Sequence, residues 1–179
     1  MSDRSQEELL VLKAQAGNRR AFDTLYRSYQ PSLVKFAYRL TNNLAVAEDA
    51  VQEAWVTIAR TIKDFENPSH FRARIFKAVR WRVIDNLKKI RSGHQSIDET
   101  VEVAAPDQGF WATQGQIIAL ISKLPTEEQQ AIYLFYLEEL KVDEIATVMD
   151  VPAGTIKSRL NRARGRLRTL LEGEENGFD

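Results

Sequence analysis

Apolar residues recur at every third or fourth position along most of this chain, the spacing that lines one face of an α-helix. The first such segment begins with a capping-box pattern at Ser5 and ends near Gly17, and Asn18 can cap the next helix. Pro31 suits the first turn of a further helix, and Asn42-Asn43 is a break. The pattern therefore predicts several short helices before residue 43.

Two longer helical patterns follow. Apolar residues recur from Val51 to Ile62, and a second helix is predicted from His70 to about Ile90, after a loop at Asn67-Pro68-Ser69. Trp81 lies away from the apolar stripe of the second helix. Its position leaves open whether the ring packs in the protein or stacks on a nucleic-acid base.

The last third of the chain predicts a helix-turn-helix. A capping-box pattern at 126–129 opens a helix whose apolar stripe is formed by Ile132, Phe135 and Tyr136. A two-turn helix over 143–149 is followed by a tight turn at 150–152 and a long helix from Ala153 to about Leu171. A short helix, a three-residue turn and a longer basic helix are typical of this DNA-binding motif.

Residues 92–110 show no periodicity and include glycine, proline and four acids, which is typical of an extended linker. The fold class is therefore predicted to be all-α, with two small helical domains joined by that linker. The boundaries we expect are a first domain at 1–92, a linker at 93–112, a second domain at 113–172 and an acidic tail at 173–179.

Composition excludes several classes of protein. The 179 residues include no cysteine, and the two histidines, His70 and His94, are far apart in the sequence. Thiolate catalysis and a histidine metal cluster are therefore not expected. No glycine-rich phosphate loop, signal segment or apolar run of membrane-spanning length is evident. We expect a cytoplasmic protein without membrane insertion that is not an enzyme and uses no cofactor or metal.

The net charge of zero is an average over regions of opposite sign. Residues 1–92 carry 17 Lys and Arg against 10 Asp and Glu, whereas residues 93–115 carry 0 against 4. The last long helix carries six basic residues and no acid between Val151 and Leu171. Such a helix fits the major groove of DNA, and its alternative is a solvated face of an ordinary bundle.

Two further charged segments stand out. Basic and aromatic residues are interleaved over 65–91, a pattern that holds single-stranded nucleic acid, although Phe71 and Phe76 share the apolar stripe and are expected in the core. An acidic stripe formed by Glu48, Asp49, Gln52 and Glu53 precedes it on another helix. This stripe is either a solvated face or a docking surface for a basic protein partner.

The order of these features resembles that of the extracytoplasmic-function, or group IV, sigma factors of bacterial RNA polymerase. The likeness is carried by segments similar to sigma regions 2 and 4, which lie at 21–26, 47–53, 71–87, 124–137, 144–146 and 151–164. The closest is Val-Pro-Ala-Gly-Thr-Ile-Lys-Ser-Arg-Leu-Asn-Arg-Ala-Arg at 151–164. That motif alone also resembles other helix-turn-helix regulators, but the joint order of the segments is specific.

The resemblance implies a sigma factor that binds core RNA polymerase and directs promoter-specific transcription initiation. The acidic stripe at Glu48, Asp49, Gln52 and Glu53 then matches the surface that docks on the beta-prime clamp helices. The second domain would lie near the beta flap, the linker would run through the active-site channel, and an anti-sigma factor is a further expected partner.

The resemblance also implies which residues contact promoter DNA. Those matching the element that reads and melts the minus-10 strand are Phe65, Asn67, His70, Arg72, Arg74, Lys77, Arg80, Trp81 and Lys88. Those matching the minus-35 reader are Thr155, Lys157, Ser158, Arg159, Arg162 and Arg164, of which Arg159 and Arg164 are expected on phosphates. The chain departs from the family pattern at Arg74, where tryptophan is common, at Trp81, where asparagine is usual, and at Asp150, where glycine is common.

Two other functions remain open at this stage. A stand-alone helix-turn-helix regulator would bind operator DNA as a dimer, with residues 1–92 sensing or dimerising. An adaptor of the polymerase would lack promoter specificity. The first leaves the acidic stripe unexplained, and the recognition helix argues against the second.

Overall fold

The computed structural model describes residues 4–92 and 115–175, and these residues form helices with no strand among them. The predicted all-α fold is confirmed. The predicted linker at 93–112 lies outside the described residues, as do residues 176–179 of the predicted tail. The helices divide into two compact units, formed mainly by the described residues before and after that gap.

The first unit is built from long helices that pack around an aromatic core. Its elements are α1 (Arg4–Gln15), α2 (Arg19–Thr41), α3 (Leu44–Thr61), single 3₁₀ turns at Ile62–Asp64 and Pro68–His70, and α4 (Phe71–Arg91). Helices α2, α3 and α4 contact one another, and α1 packs on α2. Phe36, Phe71 and Phe76 are fully buried where these helices meet, and the rings of Phe36 and Phe76 make an edge contact.

Short polar side chains set the ends of these helices as the sequence predicts. Gly17 adopts the left-handed φ of 88° that ends α1, and the Asn18 side chain accepts a hydrogen bond of 3.1 Å from the Ala21 amide. Asn42 is left-handed at the end of α2, and Asn43 caps α3 by accepting from the Val46 amide at 3.2 Å. The predicted break at Asn42-Asn43 is confirmed.

The prediction of a new helix at Pro31 is wrong. Helix α2 continues without interruption from Arg19 to Thr41, and Pro31 lies inside it. Leu25, Tyr29 and Leu33 are buried along one face on both sides of the proline. Continuous burial of this face therefore outweighs the local cost of a proline in a helix interior.

The second unit contains the helix-turn-helix. Its elements are α5 (Gly115–Ser122), α6 (Thr126–Ile132), a π-helical turn (Tyr133–Leu137), α7 (Val142–Met149) and α8 (Ala153–Glu175). Helix α8 packs on α6, and Ile156, Leu160 and Ala163 of α8 are buried. Helix α8 extends to Glu175, beyond the predicted end near Leu171.

The start of α6 differs from the predicted capping box. Thr126 is the first residue of the helix, and Pro125 occupies the cap position without a side-chain hydrogen bond. The Gln129 side chain instead donates to the backbone oxygen of Leu124 at 2.6 Å and to that of Ser122 at 3.0 Å. The side chain of Gln129 therefore ties α6 to the end of α5. Pro125 separately fixes the backbone where α6 begins.

The π-helical turn changes which residues after α6 face inward. The Glu138 amide donates to the Tyr133 oxygen at 3.2 Å, five residues back, and this extra residue rotates the following side chains. Tyr133 and Leu134 are buried, while Tyr136 is 52% exposed. The predicted inward position of Tyr136 is therefore wrong.

Candidate protein and nucleic-acid interfaces

The acidic stripe forms an exposed face of α3. Glu48, Asp49, Gln52 and Glu53 are all exposed, because Val51, Ala54, Trp55 and Ile58 point into the core on the opposite side. Val56 is 46% exposed and lies on the same face, one turn after Gln52. The face therefore combines carboxylates with an apolar residue, a composition suited to protein contact.

The structure fixes the position of α3 through its buried tryptophan and its last acid. The Trp55 ring contacts Phe22 and Tyr26, and its Nε1 donates to the Gln30 side chain at 2.8 Å. Glu53 lies 3.6 Å from Arg82 of α4, so the C-terminal end of the acidic stripe is partly neutralised.

The basic and aromatic residues of α4 divide between an exposed face and the core. Trp81 is 58% exposed, with the Arg82 guanidinium 5.1 Å from its ring centre. The helical spacing places it on one face with other exposed residues, namely Arg74, Lys77 and Lys88. Arg80 is half-buried on a different side of the helix. This exposed face therefore combines three cations with one exposed aromatic ring.

The loop that leads into α4 is held in shape by Asn67. Its side chain accepts from the Ser69 amide at 3.0 Å and from the Ser69 hydroxyl at 2.7 Å, which starts the short 3₁₀ turn. Its Nδ2 lies 3.5 Å from Nε2 of His70. Asn67 and His70 are both exposed at the N-terminal end of α4, next to the exposed face of that helix.

Two residues predicted to contact DNA lie in the interior instead. Phe65 is 5% exposed and packs against Phe71, while Arg74 covers its outer side with a guanidinium 4.2 Å from the ring centre. The Arg72 side chain is 14% exposed and forms an ion pair with Glu7 at 2.9 Å. Both side chains are thus placed to support α4 rather than to touch a ligand.

The partners of Arg72 form a buried polar cluster that the sequence does not predict. The Tyr29 hydroxyl donates to Glu7 and accepts from Arg72 Nε at 3.0 Å, so α1, α2 and α4 meet at three polar side chains. Burial and the neighbouring Glu7 carboxylate raise the pKa of Tyr29 far above its ordinary value. Although burial acts to lower it, the pKa of Arg72 is raised through its interactions with Tyr29 and Glu7. The ring therefore stays neutral and the guanidinium stays charged.

The turn between α7 and α8 has the geometry that positions a recognition helix. Asp150 adopts a left-handed φ of 57°, so aspartate takes the place that glycine often fills. The Pro152 oxygen accepts from the Thr155 amide at 2.9 Å, which starts α8. Lys157, Ser158 and Arg162 are exposed on the first turns of α8, and Thr155 is half-buried.

The other two residues of α8 that are predicted to contact DNA, Arg159 and Arg164, bond to side chains of the protein itself. The side chain of Arg159 is 12% exposed and bonds Glu127 of α6, and its predicted phosphate contact stays a prediction. Arg164 is exposed, and its Nε donates to the Tyr136 hydroxyl at 2.9 Å, with the Phe135 and Tyr136 rings beside it. The π-helical turn thus brings Tyr136 to the surface, where it holds Arg164 in place.

Neither a metal site nor a membrane span is found in the part of the chain that the structure describes. Within residues 4–92 and 115–175, no group of three or more acidic or histidine side chains is arranged to hold a metal ion. No helix in those ranges is long and apolar enough to cross a bilayer.

Two family descriptions match the chain, one within each set of helices. Residues 25–92 match "Sigma-70 region 2", and residues 114–167 match "Sigma-70, region 4". The first match takes in the acidic face of α3 and the exposed face of α4. The second takes in the helix-turn-helix.

Individual proteins are similar to nearly the whole chain. The RNA polymerase sigma-H factor of Pseudomonas aeruginosa is 27% identical, over 96% of this chain and 97% of its own. The ECF RNA polymerase sigma factor SigW of Bacillus subtilis is 25% identical, over 90% of this chain and 94% of its own. The sigma factor RpoE of Bartonella quintana, solved with the anti-sigma factor NepR, shares the fold with a TM-score of 0.63 and 24% identity, over 84% of this chain and 96% of its own.

The fold and these matches define a factor of transcription initiation. The chain belongs to the sigma-70 family of RNA polymerase sigma factors, and its relatives include members of the extracytoplasmic-function group. It is a promoter-directing sigma factor.

Proposed function

We propose that this sigma factor binds core polymerase through the exposed acidic face of α3 and reads promoter DNA through α4 and α8. The observation that carries the proposal is the α8 surface, where Lys157, Ser158 and Arg162 are exposed directly after the Asp150 turn. A helix so placed can enter the major groove with its first turns. Its cations supply both base-edge and phosphate contacts.

We assign residues 1–92 to the region 2 domain, which docks on polymerase and recognises and melts the minus-10 element. Residues 113–172 form the region 4 domain, which recognises the minus-35 element, with a linker at 93–112 and a tail at 173–179. Each domain binds weakly on its own, and their union in one chain makes the second contact intramolecular once the first has formed. Polymerase then sets the distance between the two DNA sites.

The exposed face of α4 is the proposed minus-10 surface. Trp81 supplies a ring on which an unpaired base can stack, and the cations Arg74, Lys77 and Lys88 lie along the same face. Asn67 and His70 extend the surface at its N-terminal end. Phe65 and Arg72 act from below, Phe65 by packing under Arg74 and Arg72 by joining α4 to Glu7 and Tyr29.

The polymerase surfaces that we propose as partners are the beta-prime clamp helices for the acidic face of α3 and the beta flap for the region 4 domain. An anti-sigma factor is a further proposed partner, supported by the complex of the similar Bartonella quintana sigma factor with NepR. The sigma factor itself is proposed to work in the cytoplasm, where bacterial polymerase and DNA are. It acts by binding rather than by catalysis.

The test is dependence on core polymerase. The purified chain is mixed with bacterial core RNA polymerase, analysed by size exclusion, and assayed for run-off transcripts on fragmented genomic DNA. Co-elution with new discrete transcripts is expected, and the transcript starts then identify the promoter. Tight binding of duplex DNA by the chain alone, without co-elution, would instead identify a stand-alone regulator.

A charge reversal tests the docking face. Asp49→Lys replaces a carboxylate at the centre of the acidic stripe, so we expect affinity for core polymerase to fall about tenfold, mainly through slower association. The matched control is Asp23→Lys, the same change at an exposed carboxylate of α2 that pairs with Arg27 at 3.0 Å. Equal affinities of the two variants, measured by titration against labelled core enzyme, would refute the assignment of α3.

A further inference from the structure

Helix α6 presents a buried carboxylate to the recognition helix. The Glu128 side chain is 7% exposed, and its two oxygens lie 3.6 Å from Nε of Arg162 and 3.1 Å from Nη1 of Arg166. Burying a carboxylate is costly unless charged groups pair with it. Arg162 and Arg166 are the partners that the structure gives it, and they lie one turn apart on α8.

The two arginines stay accessible although their partner is buried. The side chain of Arg162 is 61% exposed and that of Arg166 is 51% exposed. Glu128 approaches Arg162 from the Nε edge of the guanidinium. The remaining Nη1 and Nη2 groups are the pair that can bond O6 and N7 of a guanine. The ion pair at Nε and the 61% exposure of the Arg162 side chain leave its Nη1 and Nη2 groups accessible to a base.

The neighbouring ion pair has the opposite arrangement. Arg159 is the shielded member of its pair, with a side chain 12% exposed, whereas its partner Glu127 is 58% exposed. Glu127 thus covers an arginine, while Glu128 supports two arginines from beneath. The two adjacent carboxylates are chemically the same, but the arginine paired with Glu127 is shielded, whereas the two paired with Glu128 remain accessible to DNA.

We infer that Glu128 is a positioning residue for minus-35 recognition, which restrains Arg162 for base readout without touching DNA itself. The inference rests on the proposed function of α8. A restrained arginine loses less side-chain freedom when it binds a base, so the carboxylate strengthens binding to the correct site. Its negative charge also weakens the attraction of α8 for any phosphate backbone, and this reduces binding to other sequences.

The experiment measures discrimination by the holoenzyme formed from core polymerase and the full chain. Run-off transcription is compared between the promoter and templates that carry single substitutions in the minus-35 element. Arg162→Ala first identifies the base pair at which this arginine discriminates. Glu128→Gln, which removes the charge but keeps the shape, is expected to lower discrimination there about tenfold while co-elution with core is retained. Binding to promoter-free DNA is expected to rise.

Two comparisons separate positioning from a general loss of charge or stability. Glu127→Gln makes the same change on the same turn and is expected to retain discrimination at the Arg162 base pair. Combining Glu128→Gln with Arg162→Ala is expected to lower discrimination no further than Arg162→Ala does, because coupled residues are not additive. Thermal unfolding of each variant reports stability independently.

Either of two results would overturn the inference. In one, Glu128→Gln lowers the melting temperature but leaves discrimination unchanged, which assigns the carboxylate to stability alone. In the other, the effects of Glu128→Gln and Arg162→Ala multiply, which makes them independent. Should Glu128→Gln fail to fold, Glu128→Asp keeps the charge and shortens its reach, and it is expected to lower discrimination by a smaller factor; unchanged discrimination would again refute the inference.

Failure of the proposed function gives a different result. In that case the unmodified chain neither co-elutes with core polymerase nor produces transcripts. The same variants are then compared in binding of the full chain to duplex DNA selected from random sequence. Loss of selectivity in Glu128→Gln would support positioning by Glu128 in a stand-alone regulator, and retained selectivity would refute it.

Discussion

At the scale of single residues, the buried Glu7–Tyr29–Arg72 cluster makes the free energy of unfolding vary with pH in the alkaline range. The raised pKa of Tyr29 means that the folded state keeps its phenol proton at pH values where the unfolded chain, with a tyrosine pKa near 10.0, loses it. The contribution is fully present below about pH 10 and falls as the pH rises above that value, by about 1.4 kcal/mol per pH unit.

Tyr29→Phe tests this dependence. The variant is expected to lose about 1–3 kcal/mol at pH 8, because Glu7 and Arg72 lose a buried hydrogen-bond partner. Between pH 10 and 11 its free energy of unfolding should fall less steeply than that of the unmodified protein. Urea unfolding at a series of pH values provides the measurement. Parallel pH profiles for the two proteins would contradict a buried, neutral Tyr29.

At the scale of secondary-structure elements, α2 contains a proline that its fold tolerates. Pro31 is exposed, lacks an amide donor and lies within a helix of 23 residues. Pro31→Ala is expected to raise the free energy of unfolding by about 1–3 kcal/mol, because it restores that donor without removing buried surface.

Ser28→Ala provides the control for the change at Pro31, since Ser28 is exposed on the same helix and gains only alanine's higher helix propensity of a few tenths of a kcal/mol. Urea unfolding measures both variants. Lower stability of Pro31→Ala would mean that packing of α2 requires proline at this position.

The elements also show what local sequence signals can predict. Asn18 was correctly predicted to cap a helix and Asn42-Asn43 to form a break, because Asn18 and Asn43 each accept from an amide three residues away. The break at Pro31 was wrong, because a local rule was applied where apolar periodicity continued across the proline. The π-helical turn at Tyr133–Leu137 was missed, since one inserted residue shifts the register without leaving a distinct motif.

The candidate interfaces were also predictable only in part, because helical spacing indicates exposure but not the partner of each side chain. Helical spacing placed the acidic stripe of α3 outside the core, where it is exposed. For Trp81 the spacing left two positions open, and the structure shows the ring exposed. Charge alone could not show that Arg72 and Arg159 bond carboxylates 65 and 32 residues away in the sequence. Periodicity indicates which residues face inward, but the residue that each one meets depends on how helices pack.

At the scale of the whole molecule, the chain forms two compact units, and the proposed function assigns a DNA surface to each and requires both to act on one promoter. Each base pair added between the minus-10 and minus-35 elements lengthens the duplex by about 3.4 Å, and about 10 base pairs complete a turn. An insertion of five base pairs therefore moves one element to the opposite side of the DNA as well as about 17 Å further away.

We expect that insertion to lower run-off transcription by the holoenzyme by at least tenfold, because polymerase holds both units and the recognition helix can no longer reach its site. An insertion of ten base pairs restores the face but adds about 34 Å, so it should not restore activity. The control is a template whose minus-35 element has been replaced, on which the same insertions should have no further effect. Full activity on the template with the five-base-pair insertion would show that α8 does not read DNA at a distance set by polymerase, and the role of Arg162 and its partner Glu128 would then lie outside promoter recognition.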